Sequence, residues 1–376
     1  MTEKRYTLDC TVDQRLRIKR SHLAVTNKTG DLLFPFSPDE LVGAQHQRLR
    51  YQVLALLDGK RTVREIYATL RQKEYRGNLD EILEIVQRLA REKILESCPG
   101  PEDGAESRYD RQQLFMASFA EDGRRFSADI QERLGAARIA VLGIGGIGSH
   151  ALLALLSMGA GNLVIVDDDR VALSNLNRQF FYSESDLGRN KIDVLKEKCP
   201  EYNHGPRYTF LHRRLHSTAD CIEVMRGCDL VLMTADSPRD KIFLWSHQAA
   251  QATTTPVLYT QGVILDSLAV GPLYIPGQTN CFHCFYPQTA FDYAPPIFHH
   301  INQAYRHGSC MPHVAIAGQL MALEAVKHLT GFHQCRLYNN RVRINLDTYA
   351  LEYSRGASSG CPWCDSGRQE QTGTRR

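Results

Sequence analysis

Between Val141 and Gln179 the chain reads VLGIGGIGSHALLALLSMGAGNLVIVDDDRVALSNLNRQ. Gly143, Gly145 and Gly148 fit the spacing G-x-G-x-x-G, with Gly146 inside the run. Glycine is needed where a backbone turns sharply, and where a phosphate must approach main-chain N–H groups with no Cβ in the way. The apolar RIAVL ahead of the loop has the character of a buried strand. The apolar run behind it has that of a helix, whose N-terminus offers free N–H groups to an anion. A second apolar stretch, NLVIVDD, ends on Asp167. An acid there, about twenty residues past the loop, accepts hydrogen bonds from a ribose. Such a unit calls for a nucleotide without choosing which one, and a glycine-rich turn with no ligand is the plain alternative.

The residues around the loop narrow the choice. Arg111 stands ahead of it in RYDRQ; Arg178 and Lys191 follow in SNLNRQF and LGRNK. A dehydrogenase has no use for such cations beyond what the helix already supplies. An enzyme that holds a triphosphate and stabilises departing pyrophosphate needs them. Asp236 closes another apolar stretch, VLMTAD. Strand ends face the ligand in a doubly wound sheet, and an acid there can hold Mg²⁺ beside phosphates. Taken singly, each cation also fits a solvated surface charge.

Two further pairs carry metal chemistry. CFHC gives Cys281 and Cys284, and CPWC gives Cys361 and Cys364. Four thiolates complete a tetrahedral zinc with no open position, so the spacing predicts a structural ion. The alternative is redox use of the second pair, with its Pro and Trp neighbours. His283, between two ligands, is a bystander. Cys310, in RHGSCMPHVAIAGQL, is the one cysteine in a plausible loop for taking an acyl group; Cys199, Cys221 and Cys228 sit in helical or apolar contexts and read as packed thiols. The aromatic, proline-broken stretch between Cys284 and Cys310 fits a substrate-covering loop or an ordinary connection.

The elements that must position these groups fall into two parts. Ahead of the chemistry, residues 1–98 begin with short strand-like stretches, YTLDCTVDQRLRIKR and HLAVTN, then a turn region, LFPFSPDE. Apolar residues at helical spacing follow: Leu49, Val53 and Leu56; Val63, Ile66 and Leu70; Ile82, Ile85, Leu89 and Ile94. Asp58-Gly59 and Gly77-Asn78 break them. A small sheet followed by three short helices predicts a winged-helix-like α+β domain. Its 18 Lys and Arg face 14 Asp and Glu, and its third helix is acid-rich, which argues against DNA. Residues 99–107 read as a linker and 367–376 as a disordered tail.

RYDRQ, GIGGIG, VDDD, SNLNRQ, GRNK and TAD together resemble the E1-like adenylating family, over residues 108–366. The group contains the molybdopterin- and thiamine-pathway activating enzymes. The resemblance implies a Rossmann-like α/β adenylation domain that uses ATP and Mg²⁺, with a structural zinc. It implies that Asp167 binds ribose, that Asn175, Arg178 and Lys191 bind phosphates, and that Asp169 and Gln179 join the glycines in the nucleotide site. It further implies that Asp236 holds Mg²⁺ and that Arg111 reaches the ATP site of the second subunit of a homodimer. One departure is visible: the family follows its TAD-type aspartate with Asn, and here Ser237 stands there.

The stretch LLDGKRTVREIYATL resembles the peptide-binding domain typified by the pyrroloquinoline quinone chaperone, which captures a leader peptide as an added strand. Fused to an adenylating domain, it gives a layout similar to that of the pantocin- and microcin-type maturation enzymes. That layout implies activation of carboxylates, of glutamate side chains in the pantocin type, in a ribosomally made precursor peptide, followed by dehydrative ring closure. Alternatives are activation of a ubiquitin-like sulfur carrier's C-terminus, microcin-type chemistry, or a binding module without catalysis.

The remaining composition adds bounds. The 376 residues suffice for two domains, and a net charge of +3 does not by itself call for nucleic acid. No apolar run approaches the roughly twenty residues of a membrane span, and MTEKRYTLDC lacks a signal peptide's apolar region. A cytoplasmic chain is expected, one in which eleven cysteines do not form a disulfide framework.

Overall fold

A computed structural model describes residues 7–8, 10–21, 25–26, 32–33, 47–98, 107–238, 241–264, 266–285, 308–356, 361 and 364. The tail expected at 367–376, most of the linker at 99–107, most of LFPFSPDE and most of the stretch between Cys284 and Cys310 lie outside these residues. The chain divides into two compact units, residues 1–132 and 133–376.

The first unit opens with β1 (Arg15–Ile18) and a short antiparallel pair, β2 (Val25–Thr26) and β3 (Leu32–Leu33). Next come α1 (Gln47–Leu56), β4 (Asp58–Thr62), α2 (Val63–Gln72), α3 (Leu79–Arg91) and β5 (Leu95–Ser97). The strands form an antiparallel sheet in the order β4-β1-β5. Two helix starts follow from local chemistry. Glu65 N–H donates to Thr62 Oγ1 (3.2 Å) and Thr62 N–H to Glu65 Oε2 (2.8 Å), a reciprocal cap for α2. Asn78 Oδ1 accepts from Glu81 N–H (2.9 Å) and starts α3. The core packs Leu16, Val53, Ile66, Leu70, Ile82, Val86 and Leu89, all at most 1 % exposed.

Two local expectations change here. Asp58-Gly59 does end a helix, but a strand rather than a bare turn follows, paired to β1 with an irregular register and Gly59 at φ +79°. Ile94 lies beyond the end of α3, which buries Val86 more deeply than Ile85. A straight helix of 3.6 residues per turn brings 82, 86 and 89 to one face, and Glu92 already closes it. The unit continues into α4 (Asp110–Ala117), and α5 (Gly123–Ala136) crosses the division.

The second unit alternates strand and helix. It runs β6 (Arg138–Leu142), α6 (Gly146–Met158), β7 (Asn162–Asp167), α7 (Lys191–Tyr202), β8 (Arg207–His212), α8 (Thr218–Met225), β9 (Leu230–Met233), α9 (Ile242–Thr253) and β10 (Val257–Ile264). Then come β11 (Ser267–Tyr274), α10 (Met311–Thr330), β12 (Asn340–Asn345) and β13 (Leu351–Arg355). All eight strands share one sheet, in the order β13-β12-β11-β10-β9-β6-β7-β8. The five strands from β10 to β8 pair in parallel; β11 to β13 add antiparallel.

Successive strand residues face opposite sides, which explains the unbroken apolar runs. Ile139, Val141, Leu163, Ile165, Leu230 and Leu232 pack with α6, α7 and α10 on one face. Ala140, Leu142, Val164, Val166, Val231 and Met233 pack with α8 and α9 on the other. This is a Rossmann-like α/β fold. Among the described residues no helix is long and apolar enough to cross a membrane.

Candidate functional site

β6 lies between β7 and β9, and its two neighbours are reached by connections leading to opposite sides. A crevice opens at such a point beyond the carboxyl ends of the strands. The glycine loop, Asp167 and the Thr234–Asp236 segment all leave the sheet there.

Two glycines hold the loop's shape. Gly143 has φ +91°, and a Cβ on it would lie 2.7 Å from the Ala235 backbone. A Cβ on Gly148 would lie 2.0 Å from the Gly143 carbonyl oxygen, so α6 can only sit this close to the loop with glycine there. Gly145 differs: a Cβ there would meet nothing within 4 Å. It is the N-cap of α6 and caps no N–H with a side chain. Space and free donors therefore coincide at Gly145, the arrangement an anion needs. Gly146 opens α6, and a Cβ on it would lie 3.0 Å from Val314 Cγ1 of α10.

Asp167, 8 % exposed, ties the loop to β7. Its Oδ2 accepts from Ile144 N–H (2.6 Å) and its Oδ1 from Asp169 N–H (2.8 Å). Burial pushes its carboxyl up, against the pull of Lys191 and the two N–H donors. Lys191 begins α7 and is 3 % exposed. Its Nζ lies 2.8 Å from Asp169 Oδ2 and 3.7 Å from Asp167 Oδ1. Asp167, Asp169 and Lys191 are thus one linked group beside the glycine loop.

The SNLNRQF stretch forms a loop against α6. Ser149 Oγ accepts from Phe180 N–H (3.3 Å), and Asn175 Oδ1 accepts from Ala172 N–H (3.1 Å). Arg178 donates to Ser174 O (2.6 Å) and Asn177 Oδ1 (2.9 Å). It forms no ion pair with a described carboxylate. Gln179 is buried, and its Oε1 has no hydrogen-bond partner among the described residues. Asp236 is exposed and makes no hydrogen bond or ion pair among the described residues. Arg111 stands exposed in the first turn of α4, in the other unit.

Three contacts here had no sequence signal. Thr234 Oγ1 donates to Gly143 O (2.6 Å), locking the loop to the end of β9. Asn177 Nδ2 donates to Ser309 O (3.3 Å), which brings the start of α10 to the same side. Lys191 pairs with Asp169 across 22 positions of sequence. Cys310 is exposed at the N-cap of α10.

The two C-x-x-C pairs come together. Their sulfurs lie 3.9 Å apart for Cys281–Cys284, 3.8 Å for Cys281–Cys361 and 3.4 Å for Cys284–Cys364. Zn–S bonds of about 2.3 Å in a tetrahedron place sulfurs about 3.8 Å apart, so the four fit a zinc ion. All four are buried. Hydrogen bonds from the other three thiols hold Cys361 well below the usual thiol range. Burial lowers His283 to about 4. Cys199 and Cys221 are buried, and burial pushes both thiols up to about 12, as inert packed groups require.

The model of the ThiF family matches residues 109–362. The chain belongs to the ThiF family. It is 30 % identical over 261 residues to the sulfur carrier protein ThiS adenylyltransferase of Escherichia coli, covering 68 % of this chain and 94 % of that one. It is also 30 % identical over 245 residues to the adenylyltransferase and sulfurtransferase UBA4 of Meyerozyma guilliermondii, covering 65 % of this chain. The match spans about half, 52 %, of that longer relative.

In fold, the chain is similar to E. coli MccB solved with ATP, with a TM-score of 0.75 at 21 % identity over 93 % of this chain and 99 % of MccB. MccB has also been solved as the microcin C7 biosynthetic enzyme in complex with N-formylated MccA (TM-score 0.76, 20 % identity, 93 % of this chain and 99 % of MccB). PaaA gives a TM-score of 0.67 at 23 % identity, over 90 % of this chain and 99 % of PaaA.

Proposed function

We propose that this protein uses ATP to adenylate a carboxylate of a ribosomally made precursor peptide. One observation carries the peptide over a sulfur carrier. The ThiS adenylyltransferase is matched almost end to end, yet leaves about a third of this chain uncovered. MccB and PaaA are also matched end to end, and leave a tenth or less uncovered. The extra length holds the N-terminal sheet and helices, which in this reading bind the leader peptide as an added strand.

The ATP phosphates lie against the free N–H groups at Gly145 and Gly146. The ribose lies by Asp167, and Asn175 and Gln179 line the nucleotide site. A substrate carboxylate oxygen attacks the α-phosphorus. The bond from the α-phosphorus to the bridging oxygen breaks, and pyrophosphate leaves with that electron pair. Arg178 and Lys191 stabilise the charge, and Arg111 of a second copy adds to it. Mg²⁺, held by Asp236, would neutralise phosphate charge. A structural zinc on Cys281, Cys284, Cys361 and Cys364 would pin residues 361–364 to the segment at 281. The acyl-adenylate is then open to an amide or amine of the same peptide. That attack expels AMP, closes a ring and, overall, removes one water; the proposed acid is a glutamate side chain.

Deleting residues 1–98 tests the division of labour. Tethering a leader raises the local concentration of a weakly recognised core. The truncated enzyme should therefore lose most turnover on a full precursor and much less on leader-free core at high concentration. Equal turnover of full precursor by both enzymes overturns the leader role. AMP retained on the product would place the chemistry with the microcin type.

A further inference from the structure

Lys19 follows β1 and is 1 % exposed. Its backbone N–H donates to Ile94 O (2.9 Å), fixing the strand end beside β5. Its ammonium reaches out of the sheet to α4: Nζ donates to Ala117 O at 2.9 Å and to Ala120 O. Ala117 is the last residue of α4, and Ala120 lies in the turn after it. Helix ends leave carbonyls without intrahelical partners, and the helix dipole favours a cation there. No described carboxylate forms an ion pair with Lys19. Glu96, the acid that most raises its pKa, is held by Arg17 at 2.6 Å. Burial draws the ammonium down to about 8 against that influence.

A buried lysine is a costly way to fill space that a methionine would fill. Its two acceptors belong to the helix whose first turn carries Arg111. From Arg111 to Ala117 that helix rises only about 9 Å, so it moves as one body. We propose that Lys19 is a positioning residue for Arg111: it clamps the far end of α4 to β1 and so joins the N-terminal sheet to the handling of ATP phosphates. The proposal rests on the reading above that Arg111 contacts those phosphates.

The test uses the full chain, with Mg²⁺, and two probes: AMP and the non-hydrolysable ATP analogue AMPCPP. Only AMPCPP carries the β- and γ-phosphates that an extra arginine would meet. Calorimetry compares wild type, Lys19→Met, Lys19→Arg, Arg111→Ala and the Lys19→Met/Arg111→Ala double variant. Arg111→Ala should weaken AMPCPP about 10–100-fold, the scale of one charge-assisted hydrogen bond. Lys19→Met should weaken it about fivefold or more, within that same range, and leave AMP unchanged. The double variant should match Arg111→Ala, and Lys19→Arg should restore binding. Should Lys19→Met fail to fold, Lys19→Gln, which keeps a shorter donor, takes its place.

Equal weakening of AMP and AMPCPP would make Lys19 merely structural and overturn the proposal. So would wild-type binding by Lys19→Met, or losses that multiply in the double variant. Wild-type AMPCPP binding by Arg111→Ala removes the reading of Arg111, and the proposal with it. Binding of neither probe by wild type removes the adenylation reading itself.

Discussion

Gly145 and Gly148 separate the anion cradle from the packing that builds it. Gly145 has φ −82° and ψ −150°, an extended backbone that alanine adopts, and its missing Cβ would meet nothing within 4 Å. Gly145→Ala loses the modest N-cap preference of glycine over alanine, about 0.5–1 kcal/mol. For a domain of this size that is about 1–4 °C in Tm. The methyl nevertheless stands where a phosphate must reach the α6 N–H groups. Each charge-assisted hydrogen bond lost there is worth about 1.5–3 kcal/mol, so ATP affinity should fall about 10–100-fold or more. Gly148→Ala behaves differently. Its Cβ would lie 2.0 Å from Gly143 O and 2.7 Å from Thr234 Oγ1. Overpacking of that kind costs about 1–3 kcal/mol, so Tm should fall by several degrees before binding is considered. Calorimetry with ATP and Mg²⁺, beside a thermal melt, reads both. Wild-type ATP affinity in a stably folded Gly145→Ala would refute the cradle.

Other expectations follow from the same geometry. Freshly purified, reduced protein should contain about one zinc per chain, and Cys281→Ser should lower stability more than turnover per folded molecule; metal analysis without zinc contradicts this. Asp236→Ala should abolish pyrophosphate release with the melt unchanged, since the side chain is exposed and bonds to nothing described. Arg178→Ala should cost about 10²–10³ in rate, the usual loss of one charge-stabilising donor; a change under threefold counts against its role. Iodoacetamide at pH 8 should label the exposed Cys310 well before Cys199 and Cys221, whose thiols burial holds near 12. Turnover should survive the label, whereas its complete loss in Cys310→Ser would revive an acyl-cysteine step.

The second unit was legible because its signals are local. The glycine spacing, the apolar runs and the acid at the end of NLVIVDD lie within one continuous segment, and β6, α6 and β7 form from it. The cysteine pairs could be joined across 80 positions because thiol spacing carries its own chemistry. Contacts between distant segments left no trace. Nothing in TAD says that its threonine will donate to Gly143 O, and nothing in LGRNK says that its lysine will be buried on Asp169. The hairpin of β12 and β13 also escaped notice, although Arg341, Arg343 and Glu352 on one face alternate with Val342, Ile344 and Tyr353 on the other. In the first unit helix spacing marked α1 to α3, while β4 hid inside DGKRT, a stretch with no apolar residue. Nothing in RLRIKR marks Lys19 as buried; only the placement of α4 shows why it is inside.

The central claim is that this chain activates a peptide carboxylate with ATP. Exchange of labelled pyrophosphate into ATP reads that step directly, before any later ring closure. The assay should use wild-type protein with Mg²⁺ and, in turn, glutamate-containing peptides encoded beside its gene, a ubiquitin-like sulfur carrier with its C-terminus free, and no acceptor. Exchange that requires a peptide and vanishes in Asp236→Ala is the predicted result. Exchange supported by the sulfur carrier and by none of the peptides, or tight NAD binding with no exchange at all, would contradict it.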